Sequence, residues 1–159
     1  MFSILFVCLG NICRSPLGET IFRAMAHERG LDCEVDSAGL IGYHAGEMAD
    51  PRMRRHAAAH GYHITHRSRP IEPADFARFD YVVAMDEQNR RGILREAERA
   101  RSRGIEVRAE LLMAADFLTA HTAPDVPDPY YGGDADFEWA ITLLEDACNG
   151  LLNHLKGLQ

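Results

Sequence analysis

A chain of 159 residues, 47% hydrophobic and 26% charged, carries enough apolar material for one packed domain over 1–159, and no repeat, low-complexity tract or linker divides it. The net charge of −7 argues against a non-specific nucleic-acid binder. The longest apolar run near the start is only a strand long and lacks a basic flank, so neither a signal peptide nor membrane insertion is expected.

Residues 2–8 are nearly all apolar, as in a strand buried on both faces of a parallel sheet. Ser15-Pro16 then reads as an N-cap followed by proline at the first helical position, with Leu17, Ile21, Ala24 and Met25 at helical spacing and Gly30 as the stop. A second strand is expected over Cys33–Ala38, closing at Gly39. Asp50-Pro51 opens a short helix through Ala59, ended by Gly61. Asp80–Met85 reads as the third strand, with Asp86 capping a helix in which arginines face glutamates as a solvated surface. Ile105–Arg108 is expected as a short fourth strand. In the last helix Phe137, Ile141, Leu144, Cys148, Leu151 and Leu155 form one apolar stripe. Alternating strands and helices predict an open α/β fold, whose ligands bind outside the carboxyl ends of the strands.

Cys8 lies at such an end, in Cys8-Leu9-Gly10-Asn11-Ile12-Cys13-Arg14-Ser15-Pro16. A free thiol has a pKa near ~8.5, and a helix N-terminus and a neighbouring cation can lower it to roughly 3.5–7.5. The helix starting near Ser15 and the Arg14 guanidinium supply both influences. Backbone N–H groups of residues 9–14 can form an anion nest, and Arg14 offers a planar fork for two phosphate oxygens. In outline this is a site for covalent catalysis on a phosphate ester. A zinc site on Cys8 and Cys13 lacks a second cysteine pair, and neither a Gly-Lys-Ser/Thr ending nor a G-x-G-x-x-G supports nucleotide binding. A merely structural cysteine does not call for arginine and Ser-Pro at this spacing. Cys13, five residues from Cys8, is positioned to trap an oxidised Cys8 as a reversible disulfide.

Displacing an ester oxygen also needs an acid for the leaving group. Asp128-Pro129-Tyr130-Tyr131-Gly132-Gly133 sets a carboxylate in a rigid turn beside two aromatic rings; Asp125 is a nearby rival. His56 and His60 are spaced i, i+4, but Ala57 stands where a zinc protease needs glutamate, so a solvated face is expected. Arg52, Arg54, Arg55, Arg67 and Arg69 make the middle of the chain locally basic, either as a solvated face or as an attractor of phosphoprotein. Four cysteines, Cys8, Cys13, Cys33 and Cys148, are too few for a disulfide framework, which makes the cytoplasm the expected location.

With the two segments taken together, the chain resembles the low-molecular-weight protein tyrosine phosphatases. The likeness extends through Asp36-Ser37-Ala38-Gly39, Asp50-Pro51 and the Tyr81 to Asp86 strand end with Asn89. It implies a single-domain three-layer sandwich, a four-stranded parallel sheet flanked by helices on both faces. Cys8 would be the nucleophile, Arg14 the phosphate and transition-state binder, Asp128 the acid and then the base, and Ser15 a hydrogen-bond partner of the sulfur. The loop residues Leu9, Gly10, Asn11, Ile12 and Cys13 would surround the phosphate, while Tyr43, Tyr130 and Tyr131 would line the cleft. Asn11 would hold the loop through Ser15, Ser37 and His66. The resemblance implies a phosphotyrosine protein substrate, no metal or cofactor, no nucleic acid, and a monomer or weak homo-oligomer. Gly18, Leu40 and Tyr43 depart from the usual Ala, Thr and Trp; Gly18 should cost its helix roughly 0.5–1 kcal/mol relative to alanine.

Three rivals follow from the same motifs. An arsenate reductase needs relay cysteines, and Ala84-Met85-Asp86-Glu87 has none. A protein arginine phosphatase tends to carry threonine at the position of Ile12. A non-catalytic phosphate-binding module predicts loss of Cys8, Arg14 or Asp128, and all three are present.

Overall fold

The computed structural model describes residues 1–157; the remainder of the expected 1–159 domain lies outside the described residues. The elements are β1 (Phe2–Cys8), α1 (Arg14–Glu28), β2 (Cys33–Gly39), α2 (Pro51–Ala59), α3 (Asp75–Arg78), β3 (Tyr81–Ala84), α4 (Glu87–Ser102), β4 (Glu110–Met113), a 3₁₀ turn at Ala114–Phe117, and α5 (Asp134–Gly157). The four strands pair in parallel in the order β2-β1-β3-β4. The strand order reverses at β1, so the crevice outside its carboxyl end is where such a sheet binds ligands. Cys8 is the last residue of β1, paired with Gly39 of β2.

All seven residues of β1 are buried, because helices cover both faces of the sheet. Ile4, Phe6 and Cys8 join a core with α1 and α5, including Leu17, Ile21, Phe137, Ile141, Leu144, Cys148, Leu151 and Leu155. Leu5 and Val7 face the other way, into a smaller core with Phe76, Phe79, Ile93 and Ala97 from the α3–α4 side. The stripe read from the last helix is buried along its length. Among the described residues no helix is long and apolar enough to cross a membrane.

Four details differ from the sequence expectations. The fourth strand is Glu110–Met113, not Ile105–Arg108: Ile105 and Val107 pack as connecting chain against the second core, while Glu110 pairs with Tyr81. Ile105 and Val107 are both branched, which suits a ladder, but here they serve only to pack, half-buried, against that core. Cys13, not Ser15, is the N-cap of α1, with no side-chain cap, and Ser15 lies inside the first turn. Ala24 is exposed; Phe22 and Ala26 complete the buried stripe instead. At Gly18 a Cβ would lie 3.0 Å from a Phe6 ring carbon and 3.2 Å from the Met85 methyl, so close packing of α1 on the sheet offsets the propensity gain of alanine.

Candidate active site

Cys8 and Arg14 bracket the loop between β1 and α1, and both are buried. The Cys8 Sγ lies 3.0 Å from Ser15 Oγ. Asn11 is the sole non-glycine residue with positive φ among the described residues, at 57°, a left-handed turn that asparagine tolerates. Its buried amide nitrogen donates to Ser15 Oγ at 2.7 Å and to Ser37 Oγ at 3.1 Å. Its amide oxygen accepts from the Arg69 backbone N–H at 3.0 Å and meets His66 Nε2 at 2.9 Å. One side chain thereby ties the Cys8–Arg14 loop to β2 and to the 66–69 segment.

A second tier sits behind it. Ser37 Oγ donates to Glu19 Oε1 at 2.7 Å, and His66 Nδ1 faces the same oxygen at 3.1 Å. Burial alone would raise the Glu19 pKa, but the hydrogen bonds from His66, Ser37 and Arg23 hold it below the ordinary carboxylate value. Glu19, Asp36 and His66 bring three ligand-type atoms together, yet each is engaged with a serine, arginine or asparagine of this network.

The Arg14 guanidinium is fixed from the α4 side. Nη1 donates to Asp86 Oδ2 at 2.6 Å and to the Val126 carbonyl at 3.0 Å, while Nη2 lies 3.7 Å from Asp128 Oδ2. Burial opposes its charge, but Cys8, Asp86 and Asp128 together raise its pKa. The sequence reading takes Asp86 only as a helix cap. It does both tasks, accepting from Asn89 N–H at 2.7 Å with Oδ1 while Oδ2 orients Arg14. The signal for the second task was its place just beyond the end of β3, next to β1.

A cleft of about 350 Å³ opens over this loop. Cys8, Leu9, Gly10, Ile12, Cys13, Arg14, Tyr43, Asp128, Tyr130 and Tyr131 line it, joined by Ile41 and His44, which the sequence reading passed over. Asn11, Ser15, Ser37 and His66 lie behind the wall. Asp125 does not line the cleft. The Asp128 side chain is 40% exposed, Tyr131 is 95% exposed, and the two tyrosine rings meet edge-on at 4.9 Å. Burial keeps the Cys13 thiol well above its ordinary pKa, and all four cysteines are unpaired.

The acid-bearing loop is steadied by Arg52, whose Nη2 donates to the Tyr130 carbonyl at 2.8 Å while its guanidinium stacks over Tyr130 and Phe137. Further back, Asp146 on α5 accepts from the backbone N–H groups of Thr119, Ala120 and His121. Burial opposes its charge, but those donors hold its pKa down to about 2. The basic middle of the chain is therefore not one open face: Arg52 and Arg69 are spent on carboxylates and loop carbonyls. His56 and His60 are not a plain solvated face either. They meet Asp134 and Glu138 of α5 at 2.8–2.9 Å, and His56 stacks on Phe137.

The sequence profile of the family described as low molecular weight phosphotyrosine protein phosphatase matches residues 3–158. A low molecular weight protein-tyrosine-phosphatase of Streptomyces coelicolor is 43% identical over 153 residues, covering 95% of this chain and 92% of the relative. A solved protein tyrosine phosphatase of Entamoeba histolytica, with Hepes in its active site, superposes with a TM-score of 0.90 at 39% identity, over 99% of this chain and 98% of its own. A solved Drosophila arginine phosphatase superposes with a TM-score of 0.88 at 32% identity, over 98% of each chain. On the match along nearly its whole length, this chain belongs to the low molecular weight phosphotyrosine protein phosphatase family.

Proposed function

We propose that this protein hydrolyses phosphotyrosine monoesters in proteins by passing the phosphoryl group through Cys8. The Cys8 thiolate forms a bond to phosphorus as the bond to the tyrosyl oxygen breaks, and Asp128 gives its proton to that oxygen. The Asp128 carboxylate then takes a proton from water, whose oxygen displaces the Cys8 sulfur and releases inorganic phosphate. Arg14 and the loop amides stabilise the equatorial charge in both steps. Ser15, at 3.0 Å from the sulfur, stabilises the departing thiolate. The observation that carries this reading is that Cys8, Arg14 and Asp128, from opposite ends of the chain, line one cleft walled by aromatic side chains.

Turnover of p-nitrophenyl phosphate by wild type, with none by Cys8→Ser, is the expected outcome; full activity in Cys8→Ser excludes the mechanism. A second reading, phosphoarginine hydrolysis, is favoured by the similarity to the Drosophila enzyme. The branched Ile12 in the cleft wall favours a flat phenyl ester instead, and comparing phosphotyrosine with phosphoarginine peptides decides between them. Cys13 serves a protective role in this reading: peroxide oxidises Cys8 to a sulfenic acid, and the Cys13 sulfur displaces its hydroxyl as water, forming a disulfide. Mass spectrometry after mild peroxide should find the Cys8–Cys13 pair; Cys8 sulfinic acid alone counts against it. The unpaired cysteines fit action in the cytoplasm.

A further inference from the structure

A second groove, of about 470 Å³, runs alongside the cleft and shares Leu9, Arg14, Ile41 and Asp128 with it. Its far wall is one face of α4, where Gln88, Arg91 and Arg95 follow one another at helical spacing. Gly92 lets this wall pack closely on Leu40, just after β2: a Cβ there would lie 2.6 Å from Leu40 Cδ1.

Three arginines, Arg14, Arg91 and Arg95, and three carboxylates, Asp86, Glu96 and Asp128, line this groove, and Asp128 lies 3.7 Å from Arg14. Asp86 is held by Arg14 at 2.6 Å, and Glu96 by Arg99 at 2.8 Å. Arg91 approaches only Glu87, at 3.4 Å, and Arg90 already holds that carboxylate at 2.6 Å. Arg95 has no carboxylate partner among the described residues, and it is exposed. The α4 wall thus presents Arg95, and Arg91 with only a shared partner, beside the cleft of an acidic chain. The groove also contains Asn89, 2% exposed, whose Oδ1 is the one buried side-chain polar atom without a hydrogen-bond partner among the described residues. An exposed cation without a carboxylate partner, on the wall of a groove that opens onto the cleft, matches a peptide carrying an acidic residue.

We propose that this groove reads an aspartate or glutamate within three residues of the phosphotyrosine in a protein substrate, with Arg95 as the principal contact and Arg91 in support. The proposal rests on the phosphatase reading given above. With the aromatic ring in the cleft, the peptide crosses the ridge made by Leu9 and Ile41 and reaches α4, advancing about 3.3 Å per residue. The carboxylate meets Arg95 at the surface, so its effect is electrostatic and weakens with salt.

The test compares phosphotyrosine peptides carrying aspartate, alanine or lysine at the flanking positions, with p-nitrophenyl phosphate, which does not reach the groove, as the report on chemistry. Wild type should show kcat/KM about fivefold higher for the aspartate peptides than for the lysine peptides, a ratio that shrinks in high salt. Arg95→Glu should abolish or invert that ratio, whereas Arg103→Glu, the same charge change at an exposed site outside the groove, should preserve it. An unchanged ratio in Arg95→Glu overturns the proposal. So does an equal flattening by both variants, which would mean net charge, or an equal fall on every substrate including p-nitrophenyl phosphate, which would mean a structural defect. A wild type that turns over p-nitrophenyl phosphate but ranks the peptides alike overturns the subsite alone; one that turns over neither overturns the phosphatase reading.

Discussion

The two loops that meet in the cleft are held by different means. The Cys8–Arg14 loop is buried and cross-tied: Asn11 alone makes four hydrogen bonds, and Ser15, Ser37, His66 and Glu19 extend the network inward. The Asp128–Gly133 loop is more exposed, and among the described residues its one hydrogen bond from a distant part of the sequence is that from Arg52 to the Tyr130 carbonyl. A group that must bind phosphorus and its developing charge gains from being set in advance, since reorganisation during reaction is lost rate. On the proposed mechanism the group that meets the leaving oxygen must admit a protein side chain first, which suits the looser, wetter loop.

This contrast can be broken or sharpened by mutation. The largest effect is expected from Cys8→Ser, which should lower kcat on p-nitrophenyl phosphate by at least about 10³-fold, with Arg14→Ala close behind at about 10²–10³. Asp128→Ala should slow phenyl phosphate by about 10²–10⁴ while sparing esters with better leaving groups. If Asp125→Ala does this instead, the acid is misassigned. Asn11→Gly keeps the left-handed backbone open but removes the four side-chain bonds. It should destabilise the fold by about 2–3 kcal/mol in chemical denaturation and slow turnover, whereas Arg52→Ala should raise KM with a smaller loss of stability.

Acid sensitivity should also separate the loops. The folded pKa of Glu19 lies below its ordinary value, so its stabilising contribution is complete above pH 4.5 and is lost as pH falls through the lower, folded value. Glu19→Gln should therefore flatten stability against pH below about 4.5, as followed by thermal unfolding. The smallest effect is expected for Gly18→Ala: better helix propensity set against contacts of 3.0 and 3.2 Å leaves a net loss within about 1 kcal/mol.

Much of this molecule was legible along the chain where chemistry and periodicity are local. The buried β1, the stripe of α5, the Asp50 and Asp86 caps and the C-x5-R loop depend on neighbours within a turn or a strand. The position of β4 was misread because Ile105 and Val107 look like ladder residues, while pairing is chosen by register against β3 over a helix's distance. His56 and Arg52 read as surface until α5 is laid against α2.

What the sequence by itself determined was therefore the fold class, the C-x5-R loop at the end of β1 and the order in which the parts are delivered. Only the tertiary structure decided that Asp86 anchors Arg14, that Asp128 rather than Asp125 lines the cleft, and that a groove with Arg91 and Arg95 on its far wall adjoins it. The first two join residues 72 positions apart, Arg14 and Asp86, and 120 apart, Cys8 and Asp128, and no local pattern encodes such contacts: they follow from strand order and from which helix faces remain after the cores are filled.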